Sequence, residues 1–334
     1  MKQAPLTVAI VGCHRMLARD PACHNWAAAI DAVPETRIAS VSDLGEATRD
    51  EFIQCWGEVP SFDDYDQLLD QMQPDVVCIA TRQTMHAGQI EKAVASGAKG
   101  ILCDKPLTTS LAEMDRIVTA CRSSKVPLAF GLDRAWWPSY RKLRQLLADG
   151  IIGEMTGLIA GGLPNLINHG CHWYDSLLHL AGDPEPVWVS GLVDPSESAD
   201  PAGMAEIGFS SGLVASVIPA GRLGMSFDIL GTEGRILCLR DSQECYLWRK
   251  ATEGHERINL PPNEEGWPAG PESVRDLVQA IQTGGGTACD LDHARRATEI
   301  GFAIHLSHAA NGKRISLPAA ERDHVIESFP WGNE

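Results

Sequence analysis

The feature that most constrains this fold is a regular alternation of apolar runs and helix-like segments near the start of the chain. Apolar, β-branched runs predict buried strands at 6–11, 37–42, 75–80, 100–103 and 127–131. Helical patterns lie between them, at 22–33, 65–71, 86–96 and 111–123. Asp20 is placed to cap the first of these helices, with Pro21 in its first turn. Such alternation predicts a doubly wound parallel sheet, a Rossmann-type α/β domain.

The pattern changes after Gly150. Strand-like runs follow one another there with few helices between them, at 155–159, 187–193, 205–209, 213–218, 226–230 and 235–239. This spacing predicts a largely antiparallel sheet. Amphipathic helices are predicted near the end, at 273–283 and 291–310, joined by three glycines. We therefore expect a first domain over 1–132 and an α+β domain over 133–334, whose last helices could pack back on the first.

Composition limits the partners. The 334 residues carry a net charge of −16, which argues against a general nucleic-acid binder and against docking on anionic lipid. Ten cysteines are scattered, several in apolar runs, as is typical of reduced, buried thiols. The N-terminus lacks a signal-peptide layout, and the longest uncharged stretch, 155–174, has too many glycines, prolines and polar residues for a membrane helix. We expect a cytoplasmic protein.

A nucleotide-binding signature lies at the ends of the first two predicted strands. Gly12 follows the first strand, where a tight turn brings the backbone close to the phosphates of a dinucleotide. Asp43 follows the second strand, where an acidic side chain binds the hydroxyls of the adenosine ribose. Because the charge of Asp43 would repel a 2′-phosphate, we expect NAD in preference to NADP.

The glycine fingerprint itself is altered. The turn reads Gly-Cys-His-Arg-Met-Leu, so His14 stands where the second glycine belongs and the third glycine is also missing. We assign Gly12, His14, Arg15 and Met16 to the cofactor site, with His14, Arg15 or Arg19 as the groups that could contact phosphates. The alternative is a structural strand–turn–helix whose dinucleotide binding has decayed.

Six short motifs occur in the order seen in a known family. They are Thr-Arg-Gln-Thr-Met-His at 81–86, Cys-Asp-Lys-Pro-Leu at 103–107, Gly-Ile-Ile-Gly-Glu at 150–154, Gly-Cys-His-Trp-Tyr-Asp at 170–175, Gly-Thr-Glu-Gly at 231–234 and Ala-Asn-Gly-Lys-Arg-Ile-Ser-Leu-Pro at 310–318. The first four resemble a Thr-Pro-Asn-x-x-His segment, a Glu-Lys-Pro motif, a Gly-x-Ile-Gly-Glu domain junction and a Gly-x-His-x-x-Asp helix. Together they resemble the glucose–fructose oxidoreductase/inositol dehydrogenase (Gfo/Idh/MocA) family.

The resemblance implies a nicotinamide-dependent oxidoreductase that oxidises a secondary hydroxyl of a sugar, inositol or related polyol, or reduces the ketone. It implies an N-terminal dinucleotide-binding domain and a C-terminal α/β domain with an open sheet that often mediates dimers or tetramers. A homodimer or homotetramer is therefore expected. At the cofactor, the resemblance places Thr81, Arg82, His86, Asp104 and Lys105.

Lys105 and His172 are the catalytic residues that the resemblance implies. Lys105 follows the carboxyl end of a predicted parallel strand, where ligands of open α/β sheets bind, and its ammonium can stabilise a developing alkoxide. The imidazole of His172 titrates near neutrality, so it can take the hydroxyl proton and return it in the reverse reaction. The alternatives are a solvated loop lysine and a packed helix histidine.

Two residues near His172 are candidates for binding substrate. Asn168 stands one helical turn before it, where many family members have an aspartate. An amide can orient the imidazole or bind a substrate hydroxyl, but it cannot raise the imidazole pKa as a carboxylate does. Asp175 stands one turn after it and could orient His172 or Lys105, or be a structural carboxylate at the helix surface or between domains.

Arg134 and Trp136 follow the fifth predicted strand and are two further candidates for the pocket rim, together with Trp137. An aromatic plane suits the apolar face of a sugar or the nicotinamide. The alternative for both tryptophans is packing at the domain junction.

Three functions remain open. The first is the dehydrogenase. The second is an enzyme that retains NAD and uses transient oxidation to allow elimination or glycoside cleavage. The third is a non-catalytic family member with a decayed nucleotide loop, against which Lys105, His172 and Asp43 argue. No paired Cys-x-x-Cys or His-Glu-x-x-His spacing supports a metal site, and no nucleophile elbow supports hydrolysis.

Overall fold

The computed structural model describes residues 4–19, 24–219, 224–250, 253–262, 267 and 269–327. The strands are β1 (Leu6–Val11), β2 (Thr36–Ser42), β3 (Ser61–Phe62), β4 (Val76–Ile79), β5 (Gly100–Cys103), β6 (Leu128–Phe130), β7 (Met155–Gly161), β8 (Pro186–Val193), β9 (Gly203–Phe209), β10 (Val214–Ile218), β11 (Ser226–Gly231), β12 (Gly234–Leu239), β13 (Glu244–Arg249), β14 (Glu256–Ile258) and β15 (Ile315–Ser316). The helices are α1 (Trp26–Asp31), α2 (Glu46–Trp56), α3 (Tyr65–Met72), α4 (Gln83–Ala95), α5 (Leu111–Ser124), α6 (Pro138–Ala148), α7 (Gly170–Leu180), α8 (Ala269–Thr283) and α9 (Leu291–Ala309).

The described residues form two compact units. The first is drawn from 1–108, 113–136 and 264–294, and the second from 109–112, 137–263 and 295–334. The sheet of the first unit has the order β3-β2-β1-β4-β5-β6, and every neighbouring pair is parallel. This order confirms the predicted doubly wound sheet, and it puts the topological switch point between β1 and β4.

The first unit includes a helix from far along the chain. A Cβ added to Gly100 in β5 would lie 2.7 Å from Cδ1 of Ile281, because α8 packs directly on this strand. The residues after α8 continue along the sheet edge, where Phe130 N–H donates to the Cys289 carbonyl at 3.0 Å. Residues from the C-terminal part of the chain thus complete the core of the first unit.

The start of α1 differs from the sequence prediction. The predicted cap Asp20, Pro21 and the predicted first helical residue lie outside the described residues. The helix begins at Trp26, after Asn25, whose side chain accepts the Ala28 N–H at 3.0 Å. Asn25 is a favoured N-cap residue, so a short polar side chain begins the helix as expected, several residues further on.

The second unit contains the sheet β14-β13-β12-β11-β7-β10-β9-β8-β15. Among its pairings only β7 with β10 is parallel, which confirms the largely antiparallel open sheet. Ile207, Ala215 and Val217 are buried on one face, whereas Leu192 and Met204 are a cross-strand pair left about half exposed on the other. Every residue of α7 is buried.

No helix among the described residues is both long and apolar enough to cross a membrane. No group of three or more His, Cys, Asp or Glu side chains in that part of the chain is arranged to hold a metal ion.

Candidate functional site

Gly12 forms the turn at the switch point of the first sheet. Its φ of +81° lies in the left-handed region, and an added Cβ would meet the Ala80 carbonyl carbon and oxygen at 2.9 Å. Its N–H donates to the Ser42 carbonyl at 2.8 Å, at the end of β2. The turn therefore requires glycine, because no side chain fits between it and the end of β4.

Asp43 holds the turn from the tip of β2. Its Oδ2 accepts the Cys13 N–H and its Oδ1 accepts the Gly45 N–H, each at 3.0 Å. Arg49 donates to the Asp43 carbonyl oxygen at 2.6 Å. Each carboxylate oxygen keeps further acceptor capacity, so the predicted role in binding ribose hydroxyls is compatible with these contacts.

Cys13 is buried behind this carboxylate. Burial first, and then the charge of Asp43, raise the pKa of the Cys13 thiol to about 12. The sulfur therefore stays protonated near neutral pH and is a poor nucleophile there.

The predicted cofactor residues after Cys13 differ in how far their side chains are exposed. His14 is exposed and Arg15 is partly exposed. The Met16 side chain is only 1% exposed, and its carbonyl accepts the Trp56 indole N–H at 2.6 Å. Arg19 lies 4.6 Å over the Trp56 ring and donates to the Cys55 carbonyl at 2.8 Å. Of the three groups considered for the phosphates, Arg19 is thus directed towards α2.

Asp104 links the turn to the lysine. One carboxylate oxygen pairs with the Arg15 guanidinium, and the other accepts the Lys105 N–H at 2.9 Å. The Asp104 N–H donates to the Ile79 carbonyl at 2.8 Å, which fixes this residue between the ends of β4 and β5. Lys105 is half-buried at the carboxyl edge of the sheet.

His86 lies beneath these turns. It is completely buried, with Nε2 3.2 Å from the Thr81 carbonyl and Nδ1 3.1 Å from the Leu107 carbonyl. Burial lowers the pKa of His86, so the ring is neutral and donates from only one nitrogen at a time. The ring thus lies between the turn after β4 and the turn that carries Lys105, with a hydrogen bond to one of them, and it presents no surface to a ligand.

Thr81 and Arg82 begin the segment that His86 supports. The Thr81 hydroxyl donates to Gln89 Oε1 at 2.6 Å, which ties it to α4. Arg82 is the exposed N-cap residue of that helix. Both lie in the first unit with Gly12, Asp104 and Lys105, at the carboxyl edge of its sheet.

Trp136 occupies a buried position. It is only 4% exposed, and its indole N–H donates to Asp276 of α8 at 3.2 Å. Trp136 thus packs within the first unit, and its predicted contact with substrate stays a prediction. Arg134 pairs with Asp133 at 3.0 Å and is largely buried. Trp137 packs edge-on against Tyr140, with the ring centroids 6.0 Å apart.

The second unit places Asn168, His172 and Asp175 on the first turns of α7 and just before it. Asn168 is fully buried, Asp175 is 1% exposed and His172 is 7% exposed. The His172 N–H donates to the His169 carbonyl at 2.9 Å. The spacing of three residues puts the side chains of His172 and Asp175 on one side of the helix, and Asn168 lies in the turn that precedes it.

Asp200 is a residue that the sequence reasoning missed. Its buried carboxylate accepts the backbone N–H groups of Leu166, Ile167 and Asn168 at 2.8–3.0 Å. The residue stands in a Ser-rich stretch before Pro201, which reads as an ordinary loop. No local pattern could indicate a partner more than 30 residues away.

Comparison with known proteins places the chain in a family. Residues 6–132 match the oxidoreductase family with an NAD-binding Rossmann fold (GFO_IDH_MocA), and residues 157–317 match the C-terminal α/β domain of that family. The chain belongs to the Gfo/Idh/MocA family of oxidoreductases.

Individual relatives are more distant. A myo-inositol 2-dehydrogenase from Thermotoga maritima is 23% identical over 61% of this chain and 68% of its own length. Several other curated relatives match over less than half of their own length. Levoglucosan dehydrogenase, solved with NADH and levoglucosan, has a TM-score of 0.77 at 21% identity, covering 94% of this chain and all of that one.

A 3-ketoreductase from Actinomadura kijaniata, solved with TDP-benzene and NADP, has a TM-score of 0.75 at 20% identity over 91% of this chain and 98% of that one. At such identities, these two structures establish the shared fold only.

Proposed function

We propose that this chain is an NAD-dependent dehydrogenase that oxidises a secondary hydroxyl of a sugar, inositol or related polyol, or reduces the corresponding ketone. The observation that carries the proposal is the link through Asp104, which ties Arg15 of the nucleotide turn to the backbone of Lys105. The link puts a phosphate-binding candidate and an alkoxide-stabilising candidate in one connected structure at the carboxyl edge of the sheet.

The residues of the first unit fit a dinucleotide. Gly12 keeps the left-handed turn that admits no side chain, and Asp43 sits at the tip of β2 with acceptor capacity remaining. The Met16 side chain is buried and does not obstruct the turn, while the exposed Arg15 and His14 are candidate donors where the fingerprint lacks glycines. Asp43 favours NAD, because its charge opposes a 2′-phosphate.

Bound NAD would accept a hydride from the carbinol carbon. Lys105 would donate a hydrogen bond to the substrate oxygen and stabilise the negative charge that grows on it. Asp104 holds the Lys105 backbone, and His86 fixes the following turn from below.

His172 would take the hydroxyl proton and return it in the reverse direction. Asn168 would bind a neighbouring substrate hydroxyl, and Asp175 would orient the imidazole. Arg134 stays a candidate for substrate binding, held by Asp133. These roles rest on the family motif, on the shared side of α7 that carries His172 and Asp175, and on the position of Asn168 in the turn before that helix.

One observation favours a second function. The exposed His14 stands where a glycine normally lets the backbone approach the pyrophosphate, which would suit a non-catalytic relative with a decayed loop. An enzyme that retains NAD without net redox chemistry is the other alternative, and it would keep the same turn intact.

The test begins with nucleotide binding. A denatured sample is checked for released nucleotide, and the native protein is then titrated with NADH and NADPH by fluorescence. Turnover is measured next with a panel of polyols that includes myo-inositol and levoglucosan. Binding of NADH with polyol-dependent NADH production supports the proposal. Retained NAD without net NADH production supports the non-redox enzyme, and no binding of either nucleotide supports the decayed site.

We also propose a cytoplasmic homodimer or homotetramer. No disulfide joins any of the nine described cysteines, which suits a reducing compartment. The exposed pair Leu192 and Met204 adds apolar surface to the open sheet face, near its β15 edge. Light scattering of the wild type and of Met204→Glu checks the assembly, since a charge on that face should dissociate it.

A further inference from the structure

The loop between β8 and β9 reaches the segment that precedes α7. Oδ1 of Asp200 accepts the N–H groups of Leu166 at 3.0 Å and Ile167 at 2.8 Å, and Oδ2 accepts the Asn168 N–H at 2.9 Å. The Leu166 N–H also points to the Pro201 carbonyl at 3.0 Å. Three consecutive backbone donors form a concavity that binds anions, and here a side chain of the chain itself fills it.

The same segment is held on its other side. The Tyr174 hydroxyl donates to the Leu166 carbonyl at 3.0 Å, and Tyr174 is fully buried on α7. Gly301 of α9 lies directly against it, because an added Cβ would come within 3.1 Å of the Leu166 oxygen. Tyr174 and Gly301 thus hold the Leu166 carbonyl in place. The position of the rest of the segment depends on what its N–H groups bind.

The first turn of α7 is built on this segment. The Cys171 N–H donates to the Ile167 carbonyl at 3.5 Å, and the His172 N–H donates to the His169 carbonyl at 2.9 Å. A displacement of Ile167 and Asn168 would therefore be transmitted to the backbone of His172. The Asn168 side chain would move directly, because its own N–H binds the carboxylate.

We propose that Asp200 is a positioning residue for the reaction: through the three N–H groups, its carboxylate sets Asn168 and the first turn of α7 in the geometry that binds substrate. The role rests on the proposed function of Asn168 and His172. Asp200 acts through the backbone, and the alternative role is that of a loop anchor with no effect on the site.

The decisive variant is Asp200→Asn. An amide oxygen can still accept from Leu166 and Ile167, but the amide nitrogen then faces the Asn168 N–H, donor against donor. The carboxylate bonds that are lost are charge-assisted, and each is stronger than a neutral hydrogen bond. Asp200→Glu keeps three acceptor sites on a longer side chain, so it should fall between the wild type and Asp200→Asn.

The first readout needs no substrate. In Asp200→Asn, hydrogen exchange measured by mass spectrometry should accelerate about tenfold or more in peptides spanning 163–173, with peptides of the first unit unchanged. With ¹⁵N-labelled histidine, the imidazole signals of His172, assigned from a His172→Asn spectrum, should shift. Tyr140→Phe is the matched control, because it loses a buried hydrogen bond to Asp241 elsewhere in the second unit.

The second readout is kinetic, with the panel polyol that the wild type turns over fastest. KM should rise about five- to twentyfold in Asp200→Asn, with a smaller change in kcat and an unchanged Kd for NADH. Tyr140→Phe should change the melting temperature and leave KM within twofold. A wild-type KM in Asp200→Asn, or unchanged exchange over 163–173, overturns the proposal and leaves Asp200 a loop anchor.

Failure of the proposed function would look different, because the wild type itself would then turn over no polyol. In that case the hydrogen-exchange rates and the His172 signals test the positioning role of Asp200 without turnover. Unmoved His172 signals in Asp200→Asn would reject the positioning role, and shifted signals with local exchange would retain it. If Asp200→Asn does not fold, the same measurements on Asp200→Glu apply, with smaller shifts in the same direction.

Discussion

The candidate residues of the two units are held in opposite ways. In the first unit, Arg15, Asp43 and Lys105 lie in turns at strand ends and are at least partly exposed. Neighbours at one sheet edge hold them, as Asp104 holds Arg15 and Lys105. In the second unit they lie on a fully buried helix whose start is fastened by Asp200 from a separate loop. In the first arrangement the proposed binding groups remain accessible to a cofactor. In the second arrangement the side chains are less accessible but are held more rigidly.

The largest expected effect comes from removing the reactive groups. Lys105→Ala and His172→Ala should each lower turnover by about 10²- to 10⁴-fold, because each removes transition-state stabilisation or proton transfer. Binding of NADH should persist in His172→Ala, since the nucleotide turn belongs to the first unit. Steady-state kinetics with the panel polyol and fluorescence titration measure both.

The control for Lys105 is Lys92→Ala, an exposed lysine paired with Asp66 at 2.7 Å. Surface pairs of this kind contribute little, so turnover should be unchanged. Wild-type turnover in both Lys105→Ala and His172→Ala would contradict the catalytic roles proposed for these two residues.

The next largest effect concerns the turn of the first unit. Gly12→Ala forces a Cβ to within 2.9 Å of the Ala80 backbone at a φ of +81°, which should cost about 2–4 kcal/mol of stability and abolish NADH binding. Gly88→Ala is the matched control, because Gly88 lies inside α4 with open space around it and should gain up to about 1 kcal/mol. Urea unfolding of the two variants measures the difference, and equal stabilities would refute the close approach.

Asp43 tests whether the first unit prefers NADH to NADPH. Asp43→Asn removes the charge and should weaken NADH binding about tenfold, the loss of roughly 1.4 kcal/mol, while weakening NADPH less or strengthening it. Asp66→Asn, at an exposed acid of α3, should change neither affinity. A ratio of NADH to NADPH affinity that stays at the wild-type value would contradict the role of Asp43 in cofactor choice.

The last expected effect is a dependence of stability on pH in the second unit. Burial, aided by the charges of His324 and His308, lowers the pKa of His305 to about 4. The unfolded chain takes up this proton below about pH 6.5 and the folded chain does so only near pH 4, so the free energy of unfolding falls as the pH drops through that window. His305→Gln should remove about 1–3 kcal/mol of this dependence.

Urea unfolding of the wild type and of His305→Gln at several pH values between 7 and 4 tests this. Parallel curves for the two proteins would mean that His305 titrates alike in the folded and unfolded chain.

Much of the fold was accessible from the sequence because buried strands leave long apolar runs. β1, β2, β4, β5 and β6 were found in this way. Several elements were missed, among them α2, α6, β3, β13, β14 and β15, and two of them show the physical reason. Only Phe52 of α2 is buried, so its sequence carries no apolar period. The hairpin between β12 and β13 turns at Arg240, Asp241 and Ser242, which all have positive φ. None of the three is a glycine, so the sequence does not indicate this turn.

The sequence predicted the site residues at strand ends better than those whose positions depend on tertiary packing. The positions of Gly12, Asp43 and Lys105 follow from where their strands end, so the sequence located them. Trp136 could not be assigned, because its role depends on Asp276, which comes 140 residues later and shares the first unit. Asp200 was invisible for the same reason, since its partners are defined only by tertiary packing.

The distribution of thiols has a practical use. Of the nine cysteines in the described residues, eight are buried and only Cys55 is partly exposed, so among these nine a maleimide dye should react with Cys55 first. Cys55 accepts a hydrogen bond from Arg19, and the next residue, Trp56, holds the Met16 carbonyl of the nucleotide turn. Labelling in the Cys55→Ser variant measures the background from other thiols. The wild-type chain thus carries its own attachment point for a fluorescent reporter beside the nucleotide turn, without any engineered cysteine.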